Sequence, residues 1–466
     1  MSNPALTRCK SLSDDGLFEE LKGFEKAGDG VVAGFVSVEG RKVAVYAHDP
    51  TFMGGSLGSA EVEKITQLYR LALRQGVPVV GLSDSSGARI QEGPRSLAAV
   101  GEFFHAVHEV VGKIPTVTVV VGGCVGGAAY SAAMGDFVIG CVDRGYMFIN
   151  GPKAVKHLTG IDVTVKELGG VEILARKNGV IDLLAPDEHE AVKLVRKVLG
   201  YLPQNHTELP PAHPTDDPRD RPCRLSLGEA YDVRAVVSEV FDKDSVLELK
   251  PEYAPNIFIG LARLGGLPVG VVANQPLHMR GLVDMHAARK VSRFIRMCGS
   301  FNIPLATFVD TAGLAPGPEH EHGGLVQATS KIFKAYLEAR VPKVSIILGR
   351  VYGGAYIAMA SKSLAADYVI GLERSEVAVL QPELSAEIIY RKQLEGLPAE
   401  RRAEMLKNYT EELRGQFSGK ALQAMGVVDT VVEPEELRKN LAKSIGVLFD
   451  NYAKNVTADR RPQRSV

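Results

Sequence analysis

Two kinds of turn in this chain could do chemistry without a reactive side chain. One is an apolar run ending in Asp-x-x-Gly: Asp84-Ser85-Ser86-Gly87-Ala88-Arg89 and, 226 positions later, Asp310-Thr311-Ala312-Gly313-Leu314. The other is an apolar run ending in Gly-Gly-Ala: Gly126-Gly127-Ala128 and Gly353-Gly354-Ala355-Tyr356. Glycine after a strand lets the backbone turn at unusual φ and lets a ligand come close. The N–H groups at the start of the next helix have no partner inside it, so they suit an anion or a polarised carbonyl. If one amide from each turn type converges, each copy holds a two-donor oxyanion hole.

Other residues compete for a role. Asp84 and Asp310 follow strands and read as bases or, more ordinarily, as turn caps. Arg89 and Glu92 read as a substrate clamp or as a surface ion pair. Tyr356 either lines a pocket or packs on the sheet. Cys124 lies in a glycine-rich turn, but the second copy has Val351 there, which makes it a small apolar filler. Glu319, His320, Glu321 and His322 are adjacent and point different ways, so a polar loop is expected and no metal site. Gly54-Gly55-Ser56-Leu57-Gly58 lacks the ending of a phosphate loop and reads as a cover over the ligand or a flexible helix entrance.

These turns recur because the chain repeats itself. From Gly34 to Gly87 each residue aligns without a gap on the one 226 places later, and Gly126-Gly127-Ala128 answers Gly353-Gly354-Ala355 after one residue of slippage. Two copies of such length are a duplicated domain. The pattern in each is a hairpin (34–46, 261–273), a helix (59–74, 285–297), a strand (77–82, 303–309), a helix (97–111, 332–339) and a strand (117–121, 344–348) running into the Gly-Gly-Ala turn. Continuous apolar strands between helices predict α/β layers over a largely buried sheet. The expected divisions are a lead-in over 1–30, helical around 17–24; domains over 31–202 and 230–451; a Pro- and Asp-rich linker over 203–229; and a basic tail over 452–466.

Hydrophobic residues make up 45% of the chain and charged residues 23%. The net charge over 466 residues is -1, which favours neither nucleic acid nor a membrane surface as partner. No signal peptide or membrane span is expected, and the five scattered cysteines fit a reducing cytoplasm.

The stretches Ser85–Gly93 (SSGARIQEG), Tyr146–Pro152 (YMFINGP), Val271–Pro276 (VVANQP), Phe301–Asp310 (FNIPLATFVD), Val341–Lys343 (VPK) and Tyr352–Tyr356 (YGGAY) resemble the carboxyltransferase (β) subunit of biotin-dependent acyl-CoA carboxylases, such as the propionyl-CoA carboxylase β subunit. The resemblance implies two tandem crotonase-like domains, each a twisted β core edged by helices. It implies an acyl-CoA thioester in the first domain and carboxybiotin, borne on a separate carrier protein, in the second. The biotin site would usually come from the other subunit of a dimer, within a hexamer built as a trimer of dimers.

By position, the first oxyanion hole would use amides around Gly87, Ala88, Gly127 and Ala128, and the second those around Gly313, Leu314, Gly354 and Ala355. One would stabilise the thioester enolate and the other the ureido oxygen of biotin, whose N1 nitrogen can act as base. Ser86, Arg89, Tyr356 and Ile357 would line the substrate. No biotin-carrier or biotin carboxylase domain is recognised in the chain, so these would be partner chains.

Three departures from the family pattern stand out. Ser86 replaces a glycine, Ile357 replaces an aspartate that several relatives carry beside the acyl group, and Val379–Ala386 (VLQPELSA) replaces a glycine-rich segment near the biotin side. The same holes also serve the reverse reaction, that of the α subunit of a biotin-dependent carboxyacyl-CoA decarboxylase, and a non-catalytic CoA-binding paralogue is a third reading.

Overall fold

Apolar strands alternating with helices build one mainly parallel sheet in each half of the chain. The computed structural model describes residues 3–21 and 30–458 and divides into two compact units, Met1–Pro211 and Ala212–Val466. In the first, Glu19–Glu20 (β1), Val31–Val38 (β2) and Arg41–His48 (β3) pair antiparallel. Val79–Ser85 (β4), Thr116–Val125 (β5), Phe137–Cys141 (β6) and Leu183–Ala185 (β8) follow in parallel, and Tyr146–Phe148 (β7) pairs with the outer end of β5. Glu39 and Gly40 both take left-handed backbone conformations, which is what a two-residue hairpin turn requires of its central pair.

The second unit repeats this order. Leu247–Leu249 (β9), Ile257–Leu264 (β10) and Leu267–Asn274 (β11) are antiparallel. Leu305–Thr311 (β12), Lys343–Tyr352 (β13), Tyr368–Leu372 (β14) and Thr430–Val432 (β16) are parallel, and Glu376–Ala378 (β15) pairs with β13. The helices Ser59–Gln75 and Met285–Ser300 lie at matching places. Each buries a lysine: Lys64 donates to the Val31 carbonyl at 3.2 Å, and Lys290 to the carbonyls of Lys250, Tyr253 and Ile257 at 2.8–2.9 Å. A buried ammonium needs such acceptors, and here it ties the helix to the start of the hairpin.

The lead-in differs from expectation, and the boundary between the two units falls within the expected linker. The spacing of Leu17, Phe18, Leu21 and Phe24 imitates a helix, but the helix is Pro4–Leu12, capped by Asn3, and within residues 17–21 Glu19–Glu20 form the short strand β1. Leu21 N–H donates to the Ala33 carbonyl at 2.9 Å, so this segment borders the sheet; the rest of the expected helix lies outside the described residues. Residues 203–229 are strapped to the units in two halves. Asn205 donates to the Gly76 carbonyl at 3.0 Å in the first, while His213 N–H reaches Gly266 O at 3.0 Å and Cys223 is buried in the second. Two helices start earlier than their apolar spacing shows: Pro94–Val110 opens on a proline at its first turn, and Leu325–Glu338 follows Gly324.

Candidate active site

The two turns of each unit are brought together by a bulge. β4 pairs with β5 as Ser83 with Val120, then Ser85 with Cys124; β12 pairs with β13 as Val309 with Ile347, then Thr311 with Val351. Between these pairs one residue, the aspartate, opposes three on the other strand and fills the gap. Asp84 Oδ1 accepts from Gly123 N–H at 3.1 Å, and Asp310 Oδ1 from Arg350 N–H at 3.1 Å. A Cβ on Gly122 would stand 2.2 Å from the Asp84 carboxylate, and one on Gly349 2.3 Å from that of Asp310. Only glycine leaves the slot open, which explains two glycines that sequence reasoning had not singled out.

The aspartates are therefore turn supports in both copies, with different second partners. Arg8, from the helix Pro4–Leu12, pairs with Asp84 at 3.0 Å and Glu188 at 2.8 Å. Asp310 accepts instead from the Tyr231 hydroxyl at 3.0 Å, and burial pushes its carboxyl above the ordinary range.

Of the eight backbone amides expected to donate, two are turned inward. Gly87 N–H donates to Ser85 Oγ at 3.2 Å and Gly313 N–H to Thr311 Oγ1 at 3.1 Å. Both glycines have positive φ and serve to reverse the chain. The next amides, Ala88 and Leu314, make no hydrogen bond among the described residues, nor do those of Gly127, Ala128, Gly354 and Ala355 at the first turns of Gly127–Met134 and Gly354–Ala358. The turns touch: a Cβ on Gly126 would lie 4.0 Å from Gly87 Cα, and one on Gly354 3.2 Å from Leu314 Cδ1. Each unit thus presents unsatisfied donors from two neighbouring turns, the arrangement that stabilises an oxyanion.

Arg89 lies below this surface. Its buried guanidinium pairs with fully buried Glu61, donates to the Ser56 carbonyl at 2.9 Å and meets Glu92 at 3.2 Å. It fixes the Gly54–Gly58 loop from beneath, while its partner Glu92 in the expected ion pair stays partly exposed. Ser86 is exposed, and its N–H donates to Gly54 O at 3.1 Å. Cys124 is buried, and desolvation pushes its thiol up to about 12, which removes it as a nucleophile. Glu319–His322 lies within a short helix, Pro318–His322, in place of the expected loop, and the described residues contain no group of three or more side chains able to hold a metal ion.

In the second unit a pocket of about 570 Å³ opens beside the Gly-Gly-Ala turn. Gly353, Gly354, Tyr356 and Ile357 form one wall; Val377–Val379, Ser385, Ile389 and Phe417 form the other. Tyr356 is half-buried in this wall and Ile357 is 42% exposed. The divergent Val379–Ala386 segment supplies an edge strand's exit and the start of the helix Pro382–Ile389, and Gly353 N–H donates to Ala378 O at 3.0 Å. Ser385 falls in the divergent Val379–Ala386 segment, but Ile389 and Phe417 carried no sequence signal, because nothing local places distant residues against the turn.

Residues 9–462 match the family model described as a carboxyl transferase domain. The propionyl-CoA carboxylase carboxyltransferase subunit of Haloferax mediterranei is 40% identical, covering 93% of this chain and 88% of the relative. The methylmalonyl-CoA decarboxylase subunit alpha of Veillonella parvula is 38% identical, covering 95% and 89%. A crystal structure of transcarboxylase 12S, described as a hexamer with methylmalonyl-coenzyme A bound, superposes with a TM-score of 0.91 at 36% identity, over 99% of this chain and 90% of that one. Fold and donor turns together define a carboxyltransferase built from two crotonase-like domains. The chain belongs to the carboxyl transferase domain family.

Proposed function

We propose that this chain is the carboxyltransferase subunit that moves a carboxyl group between carboxybiotin on a carrier protein and the α-carbon of a short-chain acyl-CoA. The observation that carries the reading is the pairing, in each unit, of unsatisfied amides from two different turns. In the first unit, Ala88 with Gly127 or Ala128 polarises the thioester oxygen and holds the charge that appears there when the α-carbon loses its proton. In the second, Leu314 with Gly354 or Ala355 faces the biotin carbonyl. Each such donor is worth roughly 10²–10³ in rate.

Biotin fits the second unit: the pocket beside Gly354 is walled largely by apolar side chains, which suits a flat, uncharged ring system. When bound, carboxybiotin supplies the carboxyl group to be transferred. The protein's own part is to place the donors, hold the two ligands and exclude water. Ile357 adds an apolar side chain to the pocket wall. We place the enzyme in the cytoplasm, as a homo-oligomer of the hexameric kind working with a biotin carrier and a biotin carboxylase, each active centre drawing its acyl turns and its biotin turns from two chains. Among the described residues no helix is long and apolar enough to cross a membrane.

The test is direct. Purified protein given carboxybiotin and a panel from acetyl- to butyryl-CoA is expected to form the corresponding carboxyacyl-CoA, and no product from any member of the panel overturns the reading.

A further inference from the structure

The duplication contains its own control experiment at one residue. Beside the Asp-x-x-Gly turn of each unit, three successive residues take left-handed backbone conformations: Met53, Gly54 and Gly55 at φ +46°, +64° and +62°, and Met279, Arg280 and Gly281 at +50°, +55° and +68°. The middle carbonyl holds the turn in both copies, accepting from Ser86 N–H at 3.1 Å and from Ala312 N–H at 3.2 Å. Glycine adopts this conformation freely and a side chain does so at a cost. The first unit shows that glycine is sufficient there, yet the second has arginine.

Nothing in the fold explains that side chain. Arg280 is exposed, and its guanidinium makes no hydrogen bond or ion pair among the described residues. Its direction can be read from its counterpart: a Cβ on Gly54 would point at Ser86 Oγ, 3.3 Å away. Arg280 therefore leaves the backbone toward Ala312, onto the turn whose Leu314 amide is a free donor.

We propose that Arg280 binds the carboxylate of N-carboxybiotin and so distinguishes loaded from spent biotin. The inference rests on the assignment of the second unit to biotin. A guanidinium recognises a carboxylate through two parallel N–H bonds, a geometry that a bare ring carbonyl does not offer. Since the negative charge departs with the carboxyl group, the contact favours the loaded ligand and is lost when the ligand is spent. Loaded biotin is retained and spent biotin leaves.

The test measures binding without turnover. Biotin methyl ester and its N-carboxylated form, which lack the side-chain carboxylate, are titrated by calorimetry at pH 8 without acyl-CoA. Wild type is expected to prefer the carboxylated form by about tenfold or more, as one charge-assisted pair allows. Arg280→Gly should bind both forms alike, with the plain ester within about twofold of wild type, and Arg280→Lys should keep part of the preference. The unfolding midpoint of Arg280→Gly should equal or exceed that of wild type, because glycine relieves the left-handed backbone.

A preference that survives in Arg280→Gly overturns the proposal, as does a wild type that binds both forms equally. So does a lowered midpoint, or a loss confined to acyl-CoA affinity, which would assign the cation to CoA phosphates. If wild type binds neither ester while still binding acyl-CoA, the biotin assignment of the second unit falls instead.

Discussion

A single missing methyl group decides whether each aspartate can sit in its bulge. Gly349 faces Asp310, which is almost wholly buried and held by Tyr231, so an added Cβ has nothing soft to push against. Gly349→Ala is expected to cost about 1–3 kcal/mol in urea denaturation, and Gly122→Ala less, because Asp84 lies nearer solvent and can shift. His48, 1% exposed at the end of β3, gives a residue-scale pH effect. Burial pushes its imidazole down to about 4, so the unfolded chain takes up a proton below about pH 6.5 that the folded one refuses until near pH 4. Stability should therefore fall as pH drops through that window, by at most about 3 kcal/mol. The second copy carries Asn274 at this position, its side chain donating to Gly281 O at 3.0 Å. His48→Asn should flatten the loss when denaturation midpoints are compared at pH 7, 5.5 and 4.5. None of this was legible in the sequence beyond the recurrence of Asp84 and Asp310. The inward turn of the Gly87 amide depends on where the Ser85 hydroxyl points, which spacing does not encode.

At the scale of elements, the loop between β3 and the helix Ser59–Gln75 is held from beneath by Arg89 and Glu61. Replacing Glu61 with Gln leaves the guanidinium buried, with only the partly exposed Glu92 as counter-charge. The expected cost is about 3–5 kcal/mol, read from the urea midpoint, with acyl-CoA affinity falling as the loop loosens. Strands, hairpins and the helices after them could be read in advance because apolar periodicity and turn glycines are local signals. Residues 17–21 show the limit of that logic: their apolar spacing suits a helix, but a free sheet edge beside Ala33 competes for the same backbone and wins. The bulges were hidden for a related reason, since the register between β4 and β5 belongs to two strands at once.

For the whole molecule, the proposed pairing of turns from two chains can be tested by complementation. Gly354 and Ala128 stand in the first turns of their helices, where a proline removes an N–H without breaking a helix bond. Gly354→Pro should abolish carboxyl exchange with biotin, and Ala128→Pro that with acyl-CoA. If the two variants are unfolded and refolded together, half of the dimers are mixed and each has one intact centre of two, so about a quarter of the activity should return. No recovery in chains shown to have mixed would mean that each chain works alone. The duplicated turns also differ in what tethers them. Asp84 is held by the charged Arg8 and Asp310 by the uncharged Tyr231 hydroxyl. Removing the first partner strands a charge on Asp84, whereas removing the second takes away only a hydrogen bond. One half of the duplicated enzyme thus stands on an electrostatic strut and its twin on a neutral one, so the two half-reactions can be told apart by which strut a substitution removes.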